Sequence, residues 1–181
     1  KYTIDDKGLD WVKAEIERRM GVPFESARGF KFTSNGDNYG WNITPDGRHH
    51  CTLIIENGRL NLKLLDALRD VARVHRGTFR LTANQNLIVA GVRAEDRAAI
   101  DAILAEHFPD IDQYSILRRN AIACVALPTC GLAMAESERY LPSLLDKIEA
   151  ILAKHGLSDE PITIRMSCCP NGCSRPYISE I

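Results

Sequence analysis

The sequence predicts an α+β fold in which helices cover one face of a mixed, largely antiparallel sheet, and three observations lead there. Apolar residues recur at helical spacing in several separate stretches, and short strand-like runs come in pairs joined by turn residues. The order of these stretches through the first part of the chain is α, ββ, α, ββ, α. Paired runs with short connections exclude a purely parallel sheet, because each parallel pair needs a long crossover.

Each element has its own justification. Leu9, Val12, Ile16 and Met20 fall on one stripe with Glu15, Glu17, Arg18 and Arg19 off it, and Gly21 and Pro23 follow. This predicts an amphipathic helix lying on another surface. Residues 39–44 and 50–56 read as a hairpin around Pro45-Asp46-Gly47, where Pro fixes φ and Gly supplies a positive one. Asn57-Gly58 closes the second strand. Leu64, Leu65, Leu68, Val71, Ala72 and His75 then mark a helix stopped by Gly77. Residues 78–82 and 86–92 form the next strand pair around Ala83-Asn84-Gln85, and a helix over residues 95–107 ends before Pro109. From about residue 110 the texture changes to a polar stretch, a cysteine segment, a helix over 142–154, a strand over 162–166 and a second cysteine segment. Pro142 suits a first helical turn and Gly156 its end. A boundary is expected near residue 112, dividing the chain into parts 1–112 and 113–181.

Composition narrows the function classes. The 181 residues carry 23 Lys plus Arg against 24 Asp plus Glu, a balance that argues against a nucleic-acid binder. The longest apolar runs, such as Leu87-Ile88-Val89-Ala90, are strand-sized and exclude a membrane-spanning helix. The start, Lys1-Tyr2-Thr3, has neither a Met nor an apolar signal core, so the chain is expected to be a piece of a longer cytoplasmic protein.

Six cysteines carry most of the functional signal. The chain is too large for a disulfide-stapled minidomain, and paired thiols in a reducing compartment more often hold metal or do redox chemistry. Cys124 and Cys130 form a C-x5-C pair, and Cys169 and Cys173 a C-x3-C pair in Cys-Pro-Asn-Gly-Cys. Brought together, the pairs would make a four-thiolate site of the kind an iron–sulfur cluster takes, with Pro128, Gly131, Pro170 and Gly172 suited to tight loops that turn backbone N–H groups toward sulfur. Zinc prefers two to four residues between its paired cysteines and fits the first pair less well; zinc and plain buried thiols remain the alternatives. Cys51, inside a strand, reads as a small buried hydrophobe, and Cys168 as a non-ligand thiol beside the site.

These residues carry a resemblance. Cys124-x5-Cys130 followed by Leu132-Ala133-Met134-Ala135-Glu136, then Cys169-Pro-Asn-Gly-Cys173-Ser-Arg-Pro, with Ile55-Glu56-Asn57-Gly58-Arg59 and Leu81-Thr82-Ala83-Asn84-Gln85-Asn86, resembles the nitrite and sulfite reductase family, on its assimilatory sulfite-reducing hemoprotein branch. The likeness runs along nearly the whole chain. It implies a ferredoxin-like subdomain over residues 1–112, joined over 113–181 to the first part of the 4Fe–4S and siroheme-binding domain. It further implies a cluster held by Cys124, Cys130, Cys169 and Cys173, with Cys173 also bound to the siroheme iron and Thr129 and Asn171 against the siroheme. Asn84 and Gln85 are weaker candidates for that surface, a plain turn being the other reading. The implied reaction is the six-electron reduction of sulfite to sulfide. The implied partners are a flavoprotein reductase subunit or a ferredoxin as electron donor, and the missing N-terminal half of the same chain, which would bring the cations that bind sulfite. One position departs from the family pattern: Cys168 stands where members usually carry Gly.

Other features have simpler readings. His49 and His50 are strand neighbours that point to opposite faces, and His75, His107 and His155 each fall at a helix C-terminus, where imidazole suits the negative dipole end. Arg118-Arg119 reads as a surface pair, and Trp11 and Trp41 as core or contact anchors. The rival to an enzyme fragment is a zinc- or thiol-stabilised, non-catalytic binding module, and within the family the alternative is a ferredoxin-dependent sulfite or nitrite reductase.

Overall fold

The structure is a computed structural model that describes residues 2–33, 36–108 and 113–181. The chain divides into two compact units, Lys1–Asn35 and Gly36–Ile181. The first holds α1 (Tyr2–Lys7) and α2 (Leu9–Met20). Gly21 ends α2 in the left-handed region at φ 73°, its N–H donating to Glu17 O at 2.9 Å. The amphipathic helix is therefore present, but no residue of α1 or α2 is buried. Trp11, expected as an anchor, is 48% exposed with Lys7 Nζ 5.9 Å above its ring.

The second unit opens with the expected hairpin, β1 (Gly40–Ile43) and β2 (His49–Leu53), followed by α3 (Leu62–Val74), β3 (Thr78–Leu81), β4 (Leu87–Val92) and α4 (Arg97–His107). The four strands form one antiparallel sheet in the order β1-β2-β4-β3. Along β2 and β4 the residues Cys51, Leu53, Leu87, Val89 and Val92 meet Val71 of α3 and Ile100 and Leu104 of α4 in one core. Asn61 caps α3, its side chain accepting the Leu64 N–H at 3.0 Å. Helix α3 ends before His75, and Gly77 serves a different purpose from stopping it: a Cβ there would lie 2.1 Å from the Ala90 carbonyl oxygen on β4. The register shifts between His49 and His50, and the His49 ring packs edge-on to Trp41 at 6.2 Å, so the histidines serve the sheet. His75, His107 and His155 all stand at helix C-terminal ends, as expected.

The remaining elements are α5 (Ile116–Arg119), β5 (Ala121–Ala123), α6 (Leu141–Lys154) and β6 (Ile164–Met166). β5 and β6 pair in parallel, Ala121 opposite Ile164 and Ala123 opposite Met166. Leu141 and Leu145 of α6 and Leu117 of α5 cover the pair in a second core. The boundary expected near residue 112 lies outside the described residues; the two sheets fall on either side of it.

Ile100 is fully buried against the sheet. Ile100→Ala should cost about 2–5 kcal/mol, the range for emptying a packed aliphatic site. Gly77→Ala should also destabilise, through backbone collision with Ala90. Denaturant unfolding of both variants checks this: an unchanged midpoint in Ile100→Ala would contradict the core described, and one in Gly77→Ala the close approach.

Candidate functional site

Both cysteine segments leave the same end of the small parallel sheet. β5 runs directly into Cys124, and β6 into Ser167, Cys168 and Cys169. The ladder continues one residue past β5, where Cys124 N–H donates to Met166 O at 3.0 Å, and further along the first loop Met134 N–H reaches Cys168 O at 3.3 Å. Ser137, fully buried, donates from Oγ to Met166 O at 2.7 Å, and Glu138 N–H reaches Cys124 O at 3.1 Å. In the first loop Cys130 N–H closes onto Ala126 O at 2.8 Å; Ala126 is buried with φ 51°. In the second, Gly172 has φ 62° and donates to Cys169 O at 3.3 Å, a conformation a side chain would strain.

The sulfurs are graded by depth. Cys124 and Cys168 are buried, Cys130 and Cys169 half-buried, and Cys173 exposed. Cys124, Ala126 and Cys168 form an apolar patch completed by Ala133 and Cys169. The Sγ atoms of Cys124 and Cys168 are 3.3 Å apart, and the Cys168 N–H points at Cys124 Sγ from 3.4 Å. Burial opposes ionisation of Cys124, but the hydrogen bonds it accepts from the Cys168 amide and thiol outweigh this and lower its pKa. The Cys124 sulfur beside it in turn raises Cys168 to about 11.

The donor set suits a four-thiolate cluster in chemistry, with two loops at one end of one strand pair lined by small apolar residues. The four predicted ligands are carried on adjoining loops, though among the described residues no three Cys, His, Asp or Glu side chains converge on one point. Thr129, Asn171 and Cys173 all lie exposed on these loops, which leaves them available to a large group laid over them.

Asn84 and Gln85 are engaged elsewhere, in a seam between the two sheets. Gln85 Nε2 donates to Ala123 O at 2.8 Å, locking the β3–β4 turn onto β5. The Asn84 carbonyl accepts from Arg175 at 2.6 Å and from Arg165 at 3.3 Å, while its amide donates to Asp37 at 3.1 Å. Arg165 is buried and also donates to Asn120 O at 2.8 Å. Burial, then the Arg175 charge, lowers its pKa. Arg59 joins the same seam with a forked ion pair to Glu138, at 2.6 and 2.9 Å, and so ties the Glu56–Gly58 turn to the first cysteine loop.

Arg118, read as a surface residue, is instead a clasp between α5 and α6, forked onto Glu149 at 2.9 and 3.0 Å and paired with Asp146. The residues that sequence reasoning missed are thus Ser137, Arg165 and Asp37. An arginine in an otherwise apolar strand was a usable signal for Arg165; neither Ser137 nor Asp37 carries one.

Comparison with known proteins bears on the fold and the family. Residues 43–107 match a family model described as the nitrite/sulfite reductase ferredoxin-like half domain. The whole chain is 61% identical to the sulfite reductase (NADPH) hemoprotein beta-component of Nitrobacter hamburgensis and 60% identical to that of Nitrosomonas europaea. It spans 32% of the length of each, so the chain covers about a third of these curated relatives. The solved structure of the Mycobacterium tuberculosis NirA protein shares the fold, with a TM-score of 0.73 at 23% identity over 97% of this chain and 33% of that one.

The depth gradient makes a labelling prediction away from the loops. Burial, and to a smaller extent the Asp101 charge, pushes the Cys51 thiol up to about 12. Because the thiolate is the nucleophile, Cys51 should stay unlabelled by iodoacetamide at neutral pH in the native chain while exposed Cys173 reacts. Peptide mass spectrometry reads both, and labelling of Cys51 at the rate of Cys173 would refute the packing described.

Proposed function

The chain belongs to the nitrite/sulfite reductase family, and from that premise we propose that it is the cluster-carrying segment of a hemoprotein that reduces sulfite to sulfide in sulfate assimilation. The observation that carries the reading is the joining of the C-x5-C and C-x3-C loops at one end of the β5–β6 pair. Cys124, Cys130, Cys169 and Cys173 hold a 4Fe–4S cluster as thiolates. Cys173, the exposed one, would also hold the siroheme iron, and Thr129 and Asn171 would offer hydrogen bonds to siroheme carboxylates. When bound, the two groups store electrons and present an iron to the substrate sulfur. The chain's own residues do the rest: Cys124, Ala126 and Ala133 keep water from the inner side, and Ser137 and Met134 hold the loops in register.

Sulfite is a dianion and needs several cations in its pocket. Arg59, Arg118, Arg165 and Arg175 already have partners within this chain. The two thirds of the relatives' length outside these residues are proposed to bring the substrate-binding cations. The curated relatives carry NADPH in their name, and this sequence has no flavin or nicotinamide fingerprint, so a flavoprotein reductase subunit is the proposed electron donor. The proposed compartment is the cytoplasm; among the described residues no helix is long and apolar enough to cross a membrane.

Anaerobic reconstitution tests the site. About four iron and four acid-labile sulfide per chain are expected, as a cubane held by four thiolates requires. Cys130→Ser and Cys173→Ser should each abolish cluster assembly, while Cys51→Ser leaves it unchanged. Stoichiometric zinc without iron, or equal loss in all three variants, would overturn the assignment.

A further inference from the structure

The two loops present five cysteines, Cys124, Cys130, Cys168, Cys169 and Cys173, where a cubane takes four. The fifth, Cys168, is the one in sulfur contact with a proposed ligand. We propose that Cys124 and Cys168 are a dithiol that a hydroperoxide closes to a disulfide, and that closure removes Cys124 from the ligand set; the second half of this statement rests on the cluster reading above.

The geometry favours this pair. Cys124 directly follows β5 and Cys168 stands two residues beyond β6, one position past the register, and the turn after β6 nevertheless brings their sulfurs to 3.3 Å. Closing from 3.3 Å to a bond of about 2.05 Å asks the sulfurs to approach by about 1.3 Å. Met134 N–H to Cys168 O and Cys124 N–H to Met166 O already hold both backbones in place. Cys130 and Cys173 sit further out on their loops, half-buried and exposed.

The step balances without a metal. One sulfur of the pair attacks the peroxide O–O bond, giving a sulfenic acid and releasing the other oxygen as water or an alcohol. The second sulfur attacks the sulfenic sulfur, and hydroxide leaves, taking that thiol's proton to become water. Two thiols lose two protons and two electrons, and the peroxide accepts them. Both sulfurs are buried in the apolar patch, so a small peroxide reaches them more readily than a bulky disulfide reagent. A thiol donor reverses the reaction by exchange.

The test uses the 181-residue chain with hydrogen peroxide as the probe. Non-reducing peptide mapping should find one disulfide, two hydrogens lighter than the dithiol, joining the segment of Cys124 to the segment of Cys168. Cys168→Ser should abolish it, and Cys169→Ser and Cys173→Ser should retain it. Iron uptake by peroxide-treated chain without a reductant should fall about tenfold, recover after a dithiol, and be insensitive to the same treatment in Cys168→Ser. A bond that survives in Cys168→Ser, or no bond at all, overturns the proposal even if iron loads normally. A bond formed as described in a chain that never takes up iron leaves the dithiol standing and sinks the cluster reading instead.

Discussion

The parallel ladder between β5 and β6 is the constraint on which the rest of the second subdomain depends. A parallel pair cannot be closed by a tight turn; its strands need a long crossover. Residues 124–163 supply it, carrying the first cysteine loop on the way out of β5 and α6 on the way back. Leu141 and Leu145 of that helix then cover the strands they connect. Three register pairs thereby bring thiols 44 positions apart in sequence into contact. Any change that loosens α6 from the ladder separates the two loops, even though α6 contributes no side chain to the sulfurs.

Charge at the seam between the sheets is managed through a neutral group. Two guanidiniums, Arg165 and Arg175, meet at one amide oxygen, and the same amide turns its N–H toward the Asp37 carboxylate. A buried cation left without partners is expensive, and two close together more so. Asn84 relays the negative charge of Asp37 to both, an arrangement a carboxylate at position 84 would not reproduce, since it could not donate to Asp37. Asp37 is held in turn by Thr82 and Asn86, so the turn after β3, the start of β4 and the arginine of β6 are one network. The ferredoxin-like sheet is in this way a rigid support for the cysteine loops.

The sequence made most of this fold legible where elements were long enough to show a period. The helix over 95–107 appeared as Arg97–His107 and the helix over 142–154 as Leu141–Lys154, because each packs an apolar stripe against a sheet. β5 and α5 were not legible: at three and four residues neither repeats its period even twice. The cysteine pairs were visible from spacing alone. That Cys168 and not Cys169 would touch Cys124 was not, because it depends on how far past β6 the chain turns. Gly77 could be recognised as structurally special, but its reason, the approach of β4, belongs to tertiary structure. Trp11 is half exposed within its own unit, which buries none of its helical residues.

Backbone strain marks the same seam from another direction. Among the described residues, four other than glycine take positive φ: Asn57, Gln85, Ala126 and Arg175. Each costs up to about 1–2 kcal/mol relative to a right-handed conformation. None is isolated. Asn57 donates to the Glu138 carbonyl, Gln85 to Ala123, and Arg175 to Ala83 and Asn84, while Ala126 sits under Cys130 and accepts its N–H. Strain persists only where surrounding contacts over-determine it, and it gathers where a fixed shape serves a ligand. Ala126 is the residue of the four with no side-chain hydrogen bond to offset its cost. Its carbonyl accepts the Cys130 N–H, so the strained residue fixes the shape of the first cysteine loop.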